Sequence, residues 1–501
     1  MTHRMTYASG ILSILLLCSC LLISCAKPEK EIPITTASSE ARDPFLQGRD
    51  KLENIELAAA APLFDQAIAK DSNFALAYLY RANSGGGSQV IRANMDKALS
   101  LADKVTAGEK LLIYAFQASR EVDRPKQKKH LDSLIAMYPE DKRVMMMYGA
   151  YYSSIGDYKN AIDYHTKAIQ LDTNFVPSLN LLGYVQMSAG NLEAAEKAFK
   201  NYIRVVPNKP NPYDSYAELL LKMGRYDESI TQYQKAYDID NTFVGALSGI
   251  GNNYIFKGDF TKAREYYQMY FDKSTQVNAK LTALYLKALS FLYENKLDQA
   301  LRGLAEYRSF AENEKQSSAI VYSHAYEGYA LTEMAKPQQG LKKYEEAIGA
   351  IDKVDLTERA KENLRVVANF WRAYAYASNN MMEKAKTSAE LCKKDVDRRN
   401  NPTEKTYLEM VLAYIDFKGG KYDAAIERFS KLEPNPWTMF YQAQANLKKG
   451  NKEAAKALFE KVVAWNQNIL DLAVVWTRAQ IRTWEIDRWH KRPDNRRSVY
   501  L

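Results

Sequence analysis

The stretch NLLGYVQMSAGNLEAAEKAFKNYIRVVP, residues 180–207, decides the fold. Apolar residues recur at helical spacing on both sides of Gly190, so the stretch predicts a helix, a tight turn and a second helix. Gly190 supplies the left-handed position that ends the first helix. Gly183, seven residues earlier, lets the second helix approach closely. Ala195, five after the turn, does the same from the other side, and Phe199 fills the slot that remains. The pattern repeats outward every 34 residues. Gly156, Gly190, Gly224 and Gly258 form the turn column. Gly149, Gly183, Ala217 and Gly251 form the small column before it. After it come Tyr158, Leu192, Tyr226 and Phe260, then Ala161, Ala195, Ser229 and Ala263, then His165, Phe199, Tyr233 and Tyr267. One such helix pair cannot bury its apolar face alone, so neighbouring pairs must stack.

Leu182-Gly183-Tyr184, Gly190-Asn191-Leu192-Glu193, Ala195 and Ala198-Phe199, ending at Pro207, resemble the tetratricopeptide repeat (TPR), and Tyr226 to Ile230 with Tyr233 and Ala236 does the same. Residues 142–277 hold four uninterrupted copies. Beyond them the spacing drifts while the columns persist. Ala60, Phe64 and Ala67 mark a first unit, with Gly48 in its small position. Ala263 aligns in turn with Ala300, Gly340, Ala385, Ala425 and Ala455. Gly420 and Gly450 restore the turn glycine, while Asn295, Ala335 and Asn380 replace it. The expected fold is all-α: an α-solenoid, a superhelix of about twelve stacked TPR-like helix pairs. The expected order is divergent units over 43–141, regular units over 142–277, lengthened units over 278–401, further units over 402–466, a capping helix over 467–490 and a basic tail over 491–501.

Composition agrees. The 501 residues are 47% apolar and 26% charged, which excludes wholesale disorder. With 22 Gly and 15 Pro the chain is too poor in both for a turn-dense all-β fold. The 35 tyrosines suit a fold that repeatedly packs amphipathic rings. Net charge is +9, mild for this length, and it does not indicate a nucleic-acid partner.

The N-terminus predicts an address. Arg4 precedes an apolar run from Gly10 to Ser24, too short to span a bilayer and of the length of a secretory signal. The run ends in Leu22-Ile23-Ser24-Cys25, which resembles the bacterial lipobox. That resemblance implies a signal peptide over 1–24, cleavage, and a lipid-bearing Cys25 anchored in the membrane. Residues 25–42 would be a flexible tether. Ala26 after the cysteine implies the outer membrane of a cell envelope. Cleavage would leave Cys25 and Cys392, too few for a disulfide framework or a cysteine zinc site.

Nothing in the sequence assembles catalytic chemistry, a metal site or a cofactor site. The five histidines show no i, i+3 or i, i+4 pair. His165 stands in a column of core aromatics, and Cys392 in a column of small buried residues. Ser84-Gly85-Gly86-Gly87-Ser88 lacks the Gly-Lys-Ser/Thr ending of a phosphate loop. Function is therefore expected in the groove that a TPR superhelix forms from its first helices. The resemblance places Asn180, Tyr184, Asp214, Glu218, Lys222 and Asn252 on that wall, with Met146 and Ser248. Amides, carboxylates and a tyrosine suit an extended peptide. Two readings stay open. One is a non-catalytic, membrane-anchored scaffold that binds a protein or peptide partner. The other is a glycan- or small-molecule-binding lipoprotein of an outer-membrane uptake system.

Overall fold

The computed structural model describes residues 30–466, save Val122, Thr357, Asn400 and Asn401. The signal peptide, Cys25, the capping helix and the basic tail lie outside these residues. The described residues form twenty-four α-helices and one short 3-10 turn, with no strand among them. The helices make twelve antiparallel pairs, an α-solenoid by construction. None of those helices is long and apolar enough to cross a membrane.

The chain divides at Pro207 into two units. In the first, the pairs are α1 (Ser39–Glu53) with α2 (Leu57–Lys70), α3 (Ala75–Asn83) with α4 (Ser88–Ser100), and α5 (Ala107–Arg120) with α6 (Arg124–Met137). Then come α7 (Lys142–Ser154) with α8 (Tyr158–Leu171), and α9 (Val176–Ser188) with α10 (Leu192–Val205). The second unit opens with α11 (Asn211–Lys222) and α12 (Tyr226–Ile239), then α13 (Gly245–Lys257) and α14 (Phe260–Lys273). The longer pairs follow: α15 (Val277–Tyr293) with α16 (Leu297–Asn313), α17 (Ser317–Glu333) with α18 (Pro337–Ile351), and α19 (Glu358–Ser378) with α20 (Met382–Arg399). It closes with α21 (Pro402–Lys418), α22 (Tyr422–Ser430), α23 (Pro436–Lys449) and α24 (Lys452–Ala464).

The turn column is one repeated hydrogen-bonding device. At Gly156 φ is +77°, and the next N–H, of Asp157, reaches back to the Tyr152 carbonyl at 2.9 Å. Asn191 to Gln186, Arg225 to Leu220 and Asp259 to Tyr254 repeat that bond. It satisfies carbonyls that the end of a helix would leave bare. Asn295, Ala335 and Asn380 take the same left-handed conformation, at φ of 59°, 61° and 57°.

The small column works by contact. A Cβ on Gly149 would lie 2.6 Å from His165 Nε2, so only glycine lets α7 and α8 close around that ring. His165 is fully buried, and burial pushes its imidazole down to about 4, so it packs as a neutral ring. Gly48 receives Phe64 in the same way, and Gly251 receives Tyr267. Where Ser229 replaces alanine, its hydroxyl donates to the Ala217 carbonyl at 2.7 Å and accepts from Asn253 Nδ2 at 2.9 Å, which makes the polar atom tolerable in the core. Cys392 is likewise fully buried.

Candidate functional site

The expectation of a flexible tether over 25–42 fails for its described part. Ser38 caps α1, and residues 32–37 cross the N-terminal ends of α7, α5 and α3 in turn. Three carboxylates hold the run by its backbone. Ile32 N–H donates to Asp141 at 2.9 Å. Thr35 N–H donates to Glu109 Oε1 at 2.7 Å, and its hydroxyl to Oε2 at 2.6 Å. Ala37 N–H and the Thr36 hydroxyl both donate to Asp71 Oδ2, at 2.9 and 2.6 Å. The side chains of Ile32 and Ile34 pack on the core of the unit. Polar, turn-rich sequence is held in place here because each donor meets a nearly buried acceptor: Glu109 is 0% exposed and Asp141 1%.

Each carboxylate is also part of its own helix start. Glu109 closes a capping box with Thr106 on α5. Asp141 caps α7 through Arg143 N–H. Asp71 Oδ1 accepts from Asn73 N–H at 2.9 Å in the turn before α3. Burial opposes ionisation of Asp71, but the bonds from Thr36, Asn73 and Ala37 outweigh it and hold its carboxyl below the ordinary range. The sequence signal for these three was present as cap motifs. Their second task, gripping a distant segment, has no local signature.

Beside this run lies a cavity of about 180 Å³. The first helices line it: Leu52 from α1, Leu76 and Tyr80 from α3, Leu112 and Phe116 from α5, Met146 and Met147 from α7. Met146, expected on the groove wall, is thus found on one. One end is charged. Arg143 makes a two-pronged pair with Glu53 (2.6 and 3.2 Å) and reaches Glu31 at 3.2 Å. Burial works against the Arg143 charge; the Glu53 carboxylate overcomes it and holds the guanidinium above its ordinary value. Burial pushes the Tyr80 hydroxyl up to about 12, so it stays a donor. The arrangement presents an apolar slot for a side chain next to acceptors spaced for an extended backbone.

The six residues expected to bind a partner fall in both units. In the first, Asn180 and Tyr184 stand one turn apart on α9. Asn180 Oδ1 is buried without a hydrogen-bond partner, and the Tyr184 ring packs edge-on against Phe199 at 5.2 Å. In the second, Asp214, Glu218 and Lys222 share one face of α11. Asp214 is pushed up to about 8, chiefly by burial and then by the Glu218 charge. Lys222 is exposed. Asn252, on α13, is 3% exposed and its amide oxygen accepts from the Tyr267 hydroxyl at 2.8 Å. That amide oxygen is already engaged in the packing of α13 on α14, which corrects the expectation of a residue presented to a ligand. Ser248 Oγ donates to the Gly245 carbonyl of its own helix. No group of three or more His, Cys, Asp or Glu residues able to hold a metal occurs among the described residues.

Tetratricopeptide repeat models match residues 143–175, 180–242 and 442–469, so the chain carries TPR repeats in its regular block and near its C-terminal end. Subunit 3 of the anaphase-promoting complex of Schizosaccharomyces pombe is 26% identical over 159 residues, 32% of this chain and 23% of that protein. The superkiller complex protein 3 of Mus musculus is 26% identical over 147 residues, 27% of this chain and 9% of that protein. The chain therefore spans less than a quarter of the length of these relatives. Among solved structures, a tetratricopeptide repeat protein from Parabacteroides merdae shares 13% identity over 55% of this chain and 94% of its own, with a TM-score of 0.35. YrrB, described as a TPR protein with an unusual peptide-binding site, shares 16% over 36% of this chain and 91% of its own, at 0.28.

Proposed function

We propose that this chain is a non-catalytic TPR scaffold that binds an extended segment of a protein partner along its first helices. The observation that carries the reading is the run 32–37 itself. Acceptors from three successive helix pairs hold its backbone there, beside an apolar slot. Those acceptors are taken by the chain's own backbone, so the partner segment lies along the run and enters the apolar slot, which supplies the selectivity. Asn180 and Tyr184 on α9 extend the proposed contact surface within the first unit, and Asp214, Glu218 and Lys222 on α11 form a separate candidate contact face of the second unit. The lipobox resemblance at Leu22 to Cys25 supports a lipid anchor and a place in the bacterial envelope, with the outer membrane suggested by Ala26.

Crosslinking in cells with mass spectrometry tests the binding. Wild type is compared at equal abundance with Met146→Glu and Phe116→Glu, which put charge into the slot. A defined partner captured by wild type and lost from both variants supports the reading. Capture that survives both moves the working surface elsewhere, and no defined partner in any sample removes the scaffold. Metabolic labelling with an alkyne fatty acid tests the anchor, with the label expected on wild type and absent from Cys25→Ser.

A further inference from the structure

A second cavity, of about 560 Å³, lies in the longer pairs of the second unit. That volume falls within the ~300–1,000 Å³ of ordinary small-molecule sites. It opens between one face of α15 and one face of α17, and four tyrosines wall it: Tyr285, Tyr307, Tyr322 and Tyr326. Their rings touch one another. Centroids are 4.7 Å apart for Tyr285 and Tyr326, 6.0 Å for Tyr307 and Tyr326, and 6.1 Å for Tyr322 and Tyr326. A quaternary ammonium cage turns several ring faces on one point within ~6 Å, whereas Tyr322 and Tyr326 lie nearly parallel, 23° apart. They form a continuous wall instead.

The polar groups around the wall are mixed. Among the described residues the hydroxyls of Tyr307, Tyr322 and Tyr326 have no hydrogen-bond partner, although they stand against the cavity. Burial raises all three, Tyr326 to about 12, so they remain donors at neutral pH. Asn278 and Asp355 add exposed acceptors to the lining, and Lys315 lines the same cavity, so its charged lining residues are of both signs. A proline-rich segment also docks on aromatic grooves, but its prolines offer only carbonyl acceptors. It would gain nothing from Asp355 or the Asn278 amide oxygen, which are exposed and would stay with water. A pyranose offers a donor and an acceptor at each hydroxyl, and a C–H face of positive partial charge for the negative face of a ring.

We propose that this tyrosine-walled cavity binds a neutral oligosaccharide, whose C–H face lies on Tyr322 and Tyr326 and whose hydroxyls meet Asn278 and Asp355. The site shares no lining residue with the cavity beside the run 32–37, and it does not depend on the proposed protein partner. Saturation-transfer NMR on the purified full chain tests it with four probes: maltotriose, cellotriose, xylotriose and triacetylchitotriose. At least one is expected to give a saturable signal on its ring C–H protons. Binding should weaken about tenfold or more in Tyr322→Ala and in Asp355→Ala. Asp355 and Asn278 are exposed, so Asp355→Ala and Asn278→Ala carry the test if Tyr322→Ala loses helicity. No saturable signal from any of the four at millimolar concentration overturns the assignment. Equal affinity in wild type and all variants overturns it too. So does decaproline binding that is lost in Tyr322→Ala while all four sugars fail, which makes the wall a peptide groove.

Discussion

Glu109→Gln tests whether the run 32–37 is clasped or merely rests on the helices. The two oxygens of Glu109 take four donors: Thr35 N–H on Oε1, and the Thr35 hydroxyl, Thr106 N–H and Thr106 hydroxyl on Oε2. Glutamine keeps one oxygen. Turned to keep the Thr106 cap, its NH2 faces Thr35 N–H, donor against donor, in a site closed to water. A hydrogen bond to a charged group contributes ~1.5–3 kcal/mol, and a buried donor left unsatisfied costs about 1–3 more. Together these weaken the clasp by ~3–6 kcal/mol, which multiplies the opening constant of the run by about 10²–10⁴. Hydrogen exchange with mass spectrometry reads this on the peptide spanning 30–38. Exchange there should accelerate by that factor while α7 and α8 stay protected. Thr106→Ala is the control, because it removes the cap hydroxyl and leaves the Thr35 bonds in place; it should fray the start of α5 and leave 30–38 protected. Unchanged exchange at 30–38 in Glu109→Gln would refute the clasp and reduce Glu109 to a helix cap.

Glu333 is buried among Tyr374, Tyr441 and Trp437, and burial raises its carboxyl from 4.5 to about 7 against the pull of those donors. A carboxyl raised by folding leaves stability untouched below 4.5 and lowers it as pH climbs to about 7, by ~3 kcal/mol in all. Glu333→Gln should flatten the pH dependence of urea unfolding between pH 5 and 8 and be the more stable chain at pH 8, whereas parallel pH curves would sink this account. Gly149→Ala drives a methyl into His165 and should destabilise α7 and α8 by ~1–3 kcal/mol, read as a lowered urea midpoint. The loss should be less than additive with His165→Ala, and full additivity would show that the ring is not the obstacle.

The helix pairs were legible because each column does one physical job. The second helices of the regular block begin at Tyr158, Leu192, Tyr226 and Phe260, the column two residues after the turn glycine. Alignment alone identified Asn295, Ala335 and Asn380 as left-handed turns without glycine, and their backbones agree. The site was far less legible. Residues 30–38 read as a tether because their composition is polar, and their acceptors lie up to 109 residues away. The 35 tyrosines point only to rings that pack, since helical spacing cannot distinguish a ring that closes a core from one that walls a cavity, as Tyr285, Tyr307, Tyr322 and Tyr326 do. Asn252 fell on the expected wall by its place in the repeat, yet Tyr267, 15 residues on in α14, takes up its amide oxygen.

The grip on residues 32–37 also sets an order of events during synthesis. That segment leaves the ribosome before α3, α5 and α7 exist, so the first part of the described chain to emerge must wait for three later pairs before it finds its place. Until Asp141 is translated, Ile32 N–H lacks the acceptor that ends the clasp. The finished unit is therefore latched from its own beginning, and the latch closes only after the fourth pair has started to fold.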